Sequence, residues 1–174
     1  ACHKKKHDQG YKTVSFFHEE INTFFLHEKM ILSYNPDHAF FFDNKMGYVE
    51  DTPFINVNKS IAYPTWQMSS SVGGVHASLL LEIKDKIFPD TDFDYYLNSV
   101  AKLLMPLGLF CYSDARLLVQ LDQLAIKETP KASIFTLFRF VKQHHKSKWI
   151  FILLLSLIVY ERKFPLVAFL YGCF

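Results

Sequence analysis
Three groups of residues have the types and spacing to do chemistry. His18-Glu19-Glu20 closes an apolar run, Thr13 to Phe17, with two adjacent carboxylates. Paired hard oxygen ligands of this kind can hold a divalent cation that bridges the phosphates of a nucleotide. The same pair also suits the start of a helix, where negative charge is favourable. Gly73-Gly74 stands just before a helix start at His76 or Ala77. Free backbone N–H groups without side-chain bulk let such a loop approach a phosphate or a sugar, although a plain connector has the same composition. Gly-Lys-Ser/Thr is absent, so the glycines are not a phosphate-binding P-loop. Asp90, Asp92 and Asp94 alternate ahead of the next helix, where a carboxylate can serve as a general base toward a hydroxyl or as a helix cap.

These groups need elements to carry them. Thr13 to Phe17 is β-branched and aromatic, as a buried strand is, and ends in charge where α/β sheets bind their ligands. Ile21 to Leu32 has the mixed pattern of a short helix, Asn35-Pro36-Asp37 reads as a turn, and Ala39 to Phe42 as a second short strand. Ile55, Val57, Ile61 and Tyr63 are spaced like strand residues, and Ser69 to Gly74 has the composition of a mobile loop. A helix is expected from Val75 to Ile83. A second places Tyr96, Leu97, Val100, Leu103 and Leu104 on one face and stops near Pro106 and Gly108, before a short strand at Leu109 to Tyr112.

After Asp114 the character changes. Leu117, Leu118, Leu121 and Leu124 predict an amphipathic helix, Thr129-Pro130 a break, and Ile134 to Val141 an apolar segment ahead of the cations Lys142, Lys146 and Lys148. Trp149 to Tyr160 and Phe164 to Tyr171 are apolar but each short of the roughly 20 residues that span a bilayer. With Trp149, Tyr160 and Tyr171 at their ends, they read as helices in the membrane interface or as a re-entrant hairpin. An ordinary buried hairpin is the alternative. The sequence therefore divides into a part from 1 to 114 and a membrane-associated helical part from 115 to 174.

Composition bounds the function. The 174 residues suffice for one domain, and 50% hydrophobic residues with 18 Phe exclude a disordered chain. A net charge of +2 argues against nucleic acid as a partner, because phosphate backbones require a basic surplus. Three cysteines without metal-ligand spacing point to a reducing compartment. The opening Ala1 to Lys12 has no signal-peptide core and reads as a start partway through a longer protein.

In order, acids at a strand end, a Gly-Gly loop opening a helix, and Phe88-Pro89-Asp90-Thr91-Asp92-Phe93-Asp94 before a helix resemble the second half of a family 2 glycosyltransferase. The resemblance covers residues 10 to 114. It implies an α/β fold with a partial GT-A-like mixed sheet flanked by helices, followed by a helical apolar tail. It further implies Glu20, with Glu19, as ligands to Mg²⁺ or Mn²⁺, Asp92 as the catalytic base, and Gly73, Gly74 and Asp94 on the acceptor side. Lys102 falls near a basic residue that often follows. A nucleotide-sugar donor and a glycan or lipid-linked acceptor would meet at the cytoplasmic face of a membrane, in cell-envelope synthesis. His18 replaces an expected Asp, Thr91 an expected Glu, and no Gln-x-x-Arg-Trp follows, which disfavours a processive synthase. Because the family's nucleotide-binding strands would precede Ala1, this stretch by itself is expected to be inactive. A non-catalytic membrane-associated α/β module and another nucleotide-dependent transferase, such as a nucleotidyltransferase, are the alternatives.

Overall fold
The chain is mixed α/β, and the computed structural model describes residues 21–51, 55–83, 87, 90–118 and 131–173. It forms two compact units: residues 1–39 with 58–129, and residues 40–57 with 130–174. The strand expected at Thr13 to Phe17 lies outside the described residues, as do His18, Glu19 and Glu20.

The first unit is built on a four-stranded sheet in the order β2-β4-β1-β3. Its strands are β1 (Met30–Tyr34), β2 (Tyr63–Pro64), β3 (Val72–Val75) and β4 (Phe110–Ser113). The central strands β1 and β4 run parallel, Met30 beside Phe110 and Ser33 beside Ser113, while β3 and β2 are antiparallel edges. All five residues of β1 are buried, as befits a strand covered on both faces. This corrects the short helix expected from Ile21 to Leu32: a single 3₁₀ turn, Ile21–Phe24, precedes a strand. Because every residue of the strand is buried, Ser33 included, no period of two marks it.

The glycine pair is a further correction, since Gly73 and Gly74 are not a mobile loop but the middle of β3. Gly73 pairs with Ser33 and Gly74 with Leu32. A Cβ on Gly73 would lie 2.5 Å from the Leu32 carbonyl oxygen, so the glycine is required by close backbone approach.

Helix α1 (Ala77–Ile83) and helix α2 (Phe93–Leu104) lie where the spacing expects them. Asp92 caps α2 by accepting from the Tyr95 N–H, and α2 buries Tyr95, Asn98, Val100 and Ala101. A 3₁₀ turn, Met105–Leu107, ends at Gly108, whose φ of 93° is left-handed. Met30, Leu32, Tyr34, Val72, Leu117 and Leu118 form a buried cluster on the sheet. Each fully buried aliphatic side chain there is worth roughly 1.5–3 kcal/mol. Leu117 belongs to a 3₁₀ turn, Ala115–Leu117, and Leu118 is extended, in place of the amphipathic helix expected from there. Leu121 and Leu124 fall outside the described residues.

In the second unit, α3 (Ile134–His144), α4 (Lys148–Glu161) and α5 (Leu166–Cys173) pack on one another. Phe138, Phe140, Leu153, Leu157 and Ala168 are buried among them. The apolar tail expected here consists of short helices packed on one another and held by burial of these side chains. Among the described residues no helix is long and apolar enough to cross a membrane. Residues 40–57 join this unit. Ala39 to Phe42 is not the expected strand: a turn closes from Asp43 N–H to the Phe40 carbonyl, and Phe42 packs on Phe140 with ring centroids 4.1 Å apart. Tyr48 stacks on Tyr160, and the Glu50 carboxylate lies 3.6 Å from His145 Nε2.

Candidate functional site at the carboxyl end of the parallel strands
In open α/β sheets, ligands bind where parallel strands end, because there the loops diverge and leave a crevice. β1 ends at Tyr34 and β4 at Ser113, side by side. Since β3 runs the other way, with Val72 opposite Tyr34, the loop Ser69-Ser70-Ser71 arrives at this same edge. Ser33 Oγ accepts from the Ser69 N–H at 3.3 Å, and Ser71 Oγ lies 3.5 Å from Asn35 Oδ1.

The first turn of α2 is fastened to this loop. Asp94 is buried, and its two oxygens accept from the backbone N–H and the hydroxyl of Ser70, both at 2.7 Å. One turn later, buried Asn98 accepts from the Met68 N–H at 3.1 Å and donates to the Met68 carbonyl at 2.9 Å. Its amide also donates to the Asp94 carbonyl at 2.7 Å. A side chain that satisfies both backbone groups of one residue replaces a strand neighbour there. Lys102 stands 4.9 Å from the Trp66 ring centroid, a cation–π contact on the same segment.

Asp92 thus sits two residues before the anchor. One of its oxygens is spent on the Tyr95 N–H at 3.1 Å, and its own N–H donates to Asp90 Oδ1 at 3.0 Å. Asp94, by contrast, has both oxygens engaged within the protein, a holding role for the Ser70 loop. Gly73 and Gly74 follow that loop as strand residues. The structure therefore brings Asp92, Asp94, Gly73 and Gly74 around one loop and one helix start, while Glu19 and Glu20 lie outside the described residues.

Two residues here were not singled out from the sequence. Asp114 directly follows β4, donates its N–H to the Ser33 carbonyl, and is nearly fully buried, where it pairs with Arg116. Arg116 Nη2 reaches Asp114 Oδ2 at 2.7 Å and Nε reaches Oδ1 at 3.0 Å. Burial pushes the Asp114 carboxyl up, but the Arg116 hydrogen bonds and charge more than offset it and hold it below the usual carboxylate range. The Arg116 side chain stays 66% exposed, with its guanidinium 5.2 Å from the Phe24 ring centroid. The result is an oriented cation at the sheet's carboxyl edge. An Asp-x-Arg at a strand end is the signal that marks it.

The second is Gln67, at the centre of a three-residue turn closed by Met68 N–H on the Trp66 carbonyl at 2.9 Å. Its backbone N–H is taken by Thr65 Oγ1, but its buried carboxamide has no hydrogen-bond partner among the described residues. Nothing in the local sequence signals this.

Among the described residues no group of three or more His, Cys, Asp or Glu side chains could hold a metal ion. The chain matches no protein-family model, and neither the curated proteins nor the solved structures contain a match to it.

Proposed function
We propose that this chain is the acceptor half of an inverting glycosyltransferase that moves a sugar from a nucleotide-sugar donor to a glycan or lipid-linked acceptor. The reading places it on the cytoplasmic face of a membrane, in cell-envelope synthesis. One observation carries it: the Asp94–Ser70 anchor holds the first turn of α2, and Asp92 with it, to the loop at the carboxyl end of the parallel strands. The resemblance of the sequence adds the role of base.

In this mechanism the Asp92 carboxylate takes the proton of the acceptor hydroxyl as the hydroxyl oxygen bonds to the anomeric carbon. The bond from that carbon to the donor phosphate breaks on the opposite face, its electron pair leaving with the phosphate oxygen. Arg116, aimed by Asp114, is suited to the negative charge that develops there, since a fixed guanidinium needs no reorganisation to meet it. A Mg²⁺ or Mn²⁺ held through Glu19 and Glu20 would, when bound, neutralise the diphosphate.

A second reading, a non-catalytic α/β module, draws on the fact that Asp90 and Asp92 both already accept backbone N–H groups around the start of α2. Product identity separates the readings. Full-length protein given a panel of nucleotide sugars and glycan acceptors should release nucleoside diphosphate or monophosphate together with a glycosylated acceptor. Release of pyrophosphate would mean nucleotidyl transfer, and no turnover of any donor would favour the module.

A further inference from the structure
The three C-terminal helices and their connections are rich in basic residues and keep much apolar surface exposed. From Lys131 to Cys173 there are seven Lys or Arg residues and a single acid, Glu161. That acid is already met by Lys163 at 3.1 Å. Over the same stretch Phe151, Leu155, Val159, Tyr160, Phe164 and Val167 are each more than half exposed. At about 1.5 Å per residue, the 14 residues of α4 fall short of a hydrocarbon core of about 30 Å. The outward side of these packed helices thus offers apolar and aromatic side chains beside cations, the pairing that a bilayer interface receives.

Between α3 and α5 lies an open groove of about 660 Å³ whose two walls differ in chemistry. Arg139, Lys142 and Gln143 come from α3, and Val167, Leu170 and Tyr171 from α5. Gly172 sets the closeness of the two helices, since a Cβ there would lie 2.9 Å from Phe138 Cβ. Lys142 Nζ donates to the Cys173 carbonyl at 3.3 Å, which directs a cation along the end of the groove. A cationic wall facing an apolar one suits an amphiphile with an anionic head.

We propose that this groove seats the phosphate headgroup of an anionic phospholipid while α4 and α5 lie in the plane of the membrane surface. Charge decides the occupant. A second copy would set one cationic strip against another, and an acidic peptide would meet the cations but leave the apolar residues in water. The inference rests on the membrane placement proposed above and not on sugar transfer.

Vesicle co-sedimentation of the purified chain tests it, with phosphatidylcholine alone against phosphatidylcholine containing about a third phosphatidylglycerol. The mixed vesicles should bind at least tenfold more tightly, and glycerol phosphate in solution should not displace the protein. Arg139→Gln with Lys142→Gln should weaken binding to mixed vesicles roughly thirtyfold, at about fivefold per cation near the surface. Lys146→Gln with Lys148→Gln removes the same charge outside the groove and should cost clearly less, with circular dichroism confirming that both variants fold. Equal binding to both vesicles, binding to neither, displacement by glycerol phosphate, or equal losses in the two double variants would overturn the proposal.

Discussion

Asp94 on the first turn of α2 receives two hydrogen bonds from a single residue 24 positions earlier, the backbone N–H and the hydroxyl of Ser70, each at 2.7 Å. A carboxylate that is buried and doubly satisfied in this way is part of the framework. It fixes where α2 begins, and therefore where the neighbouring Asp92 stands. Removing it should be felt as stability. Asp94→Ala leaves the Ser70 N–H without its acceptor and should cost about 2–3 kcal/mol in urea unfolding. Asp94→Asn keeps one acceptor oxygen and should cost less. Equal stability of Asp94→Ala and the parent would remove the anchor from the account.

Gly73 in β3 approaches its neighbouring strand closely, with the Leu32 carbonyl oxygen 2.5 Å from where a Cβ would lie. The obstacle is backbone and cannot swing aside. Gly73→Ala should therefore destabilise by about 1–3 kcal/mol, the usual cost of overpacking, measured by the shift in denaturation midpoint.

Asp114 makes stability depend on pH. Its carboxyl is held below the usual range in the folded protein, since the Arg116 interactions outweigh the upward push of burial. A lowered folded pKa means that the unfolded chain takes up this proton first. The stabilisation is complete above the unfolded pKa of about 4 and is lost as pH falls through the folded value. Between pH 5 and pH 3, unfolding free energy should fall more steeply in the parent than in Asp114→Asn. Identical pH dependence in the two proteins would show that the pair is not coupled to folding.

Cys111 sits in β4, 1% exposed, and burial pushes its thiol up to about 12. The nucleophile is the thiolate, so both access and ionisation protect it. Iodoacetamide at pH 8 should leave Cys111 unmodified while labelling Cys173, with peptide mass spectrometry reading the sites. Adding denaturant should expose Cys111. Rapid labelling in the native protein would contradict the placement of β4.

Gln67 carries a buried carboxamide without a partner among the described residues. An unmet buried polar group costs about 1–3 kcal/mol, so Gln67→Met, similar in length and apolar, should raise the urea midpoint. A lowered midpoint would mean that the amide is satisfied after all.

Much of the helical part was legible because its signals are local. Asp92 reads as a cap and Gly108 as a stop, α2 follows from apolar spacing, and α4 and α5 follow from their apolar runs, whereas the apolar segment Ile134 to Val141 carries no such mark of the helix α3 that it forms. The sheet was harder. β1 has no alternation to read, since all five of its residues are buried. Gly73-Gly74 resembles a loop because glycine is a poor strand former, and the reason for it here is the backbone of Leu32, distant in sequence. At the site, the spacing of Asp90, Asp92 and Asp94 pointed to the right helix start but could not say which carboxylate is consumed by Ser70. The Asp114-x-Arg116 pair is a local signal at a strand end, whereas the isolation of the Gln67 carboxamide depends on packing that only the folded chain creates.

The most direct test of the proposed sugar transfer is the turnover of Asp92→Asn with a nucleotide-sugar donor. Asparagine caps a helix as well as aspartate does, so α2 should keep its start and the variant its melting temperature. Loss of a general base should lower kcat by about 10²–10⁴. A kcat within about threefold of the parent, at equal stability, would contradict the assignment of Asp92 as base.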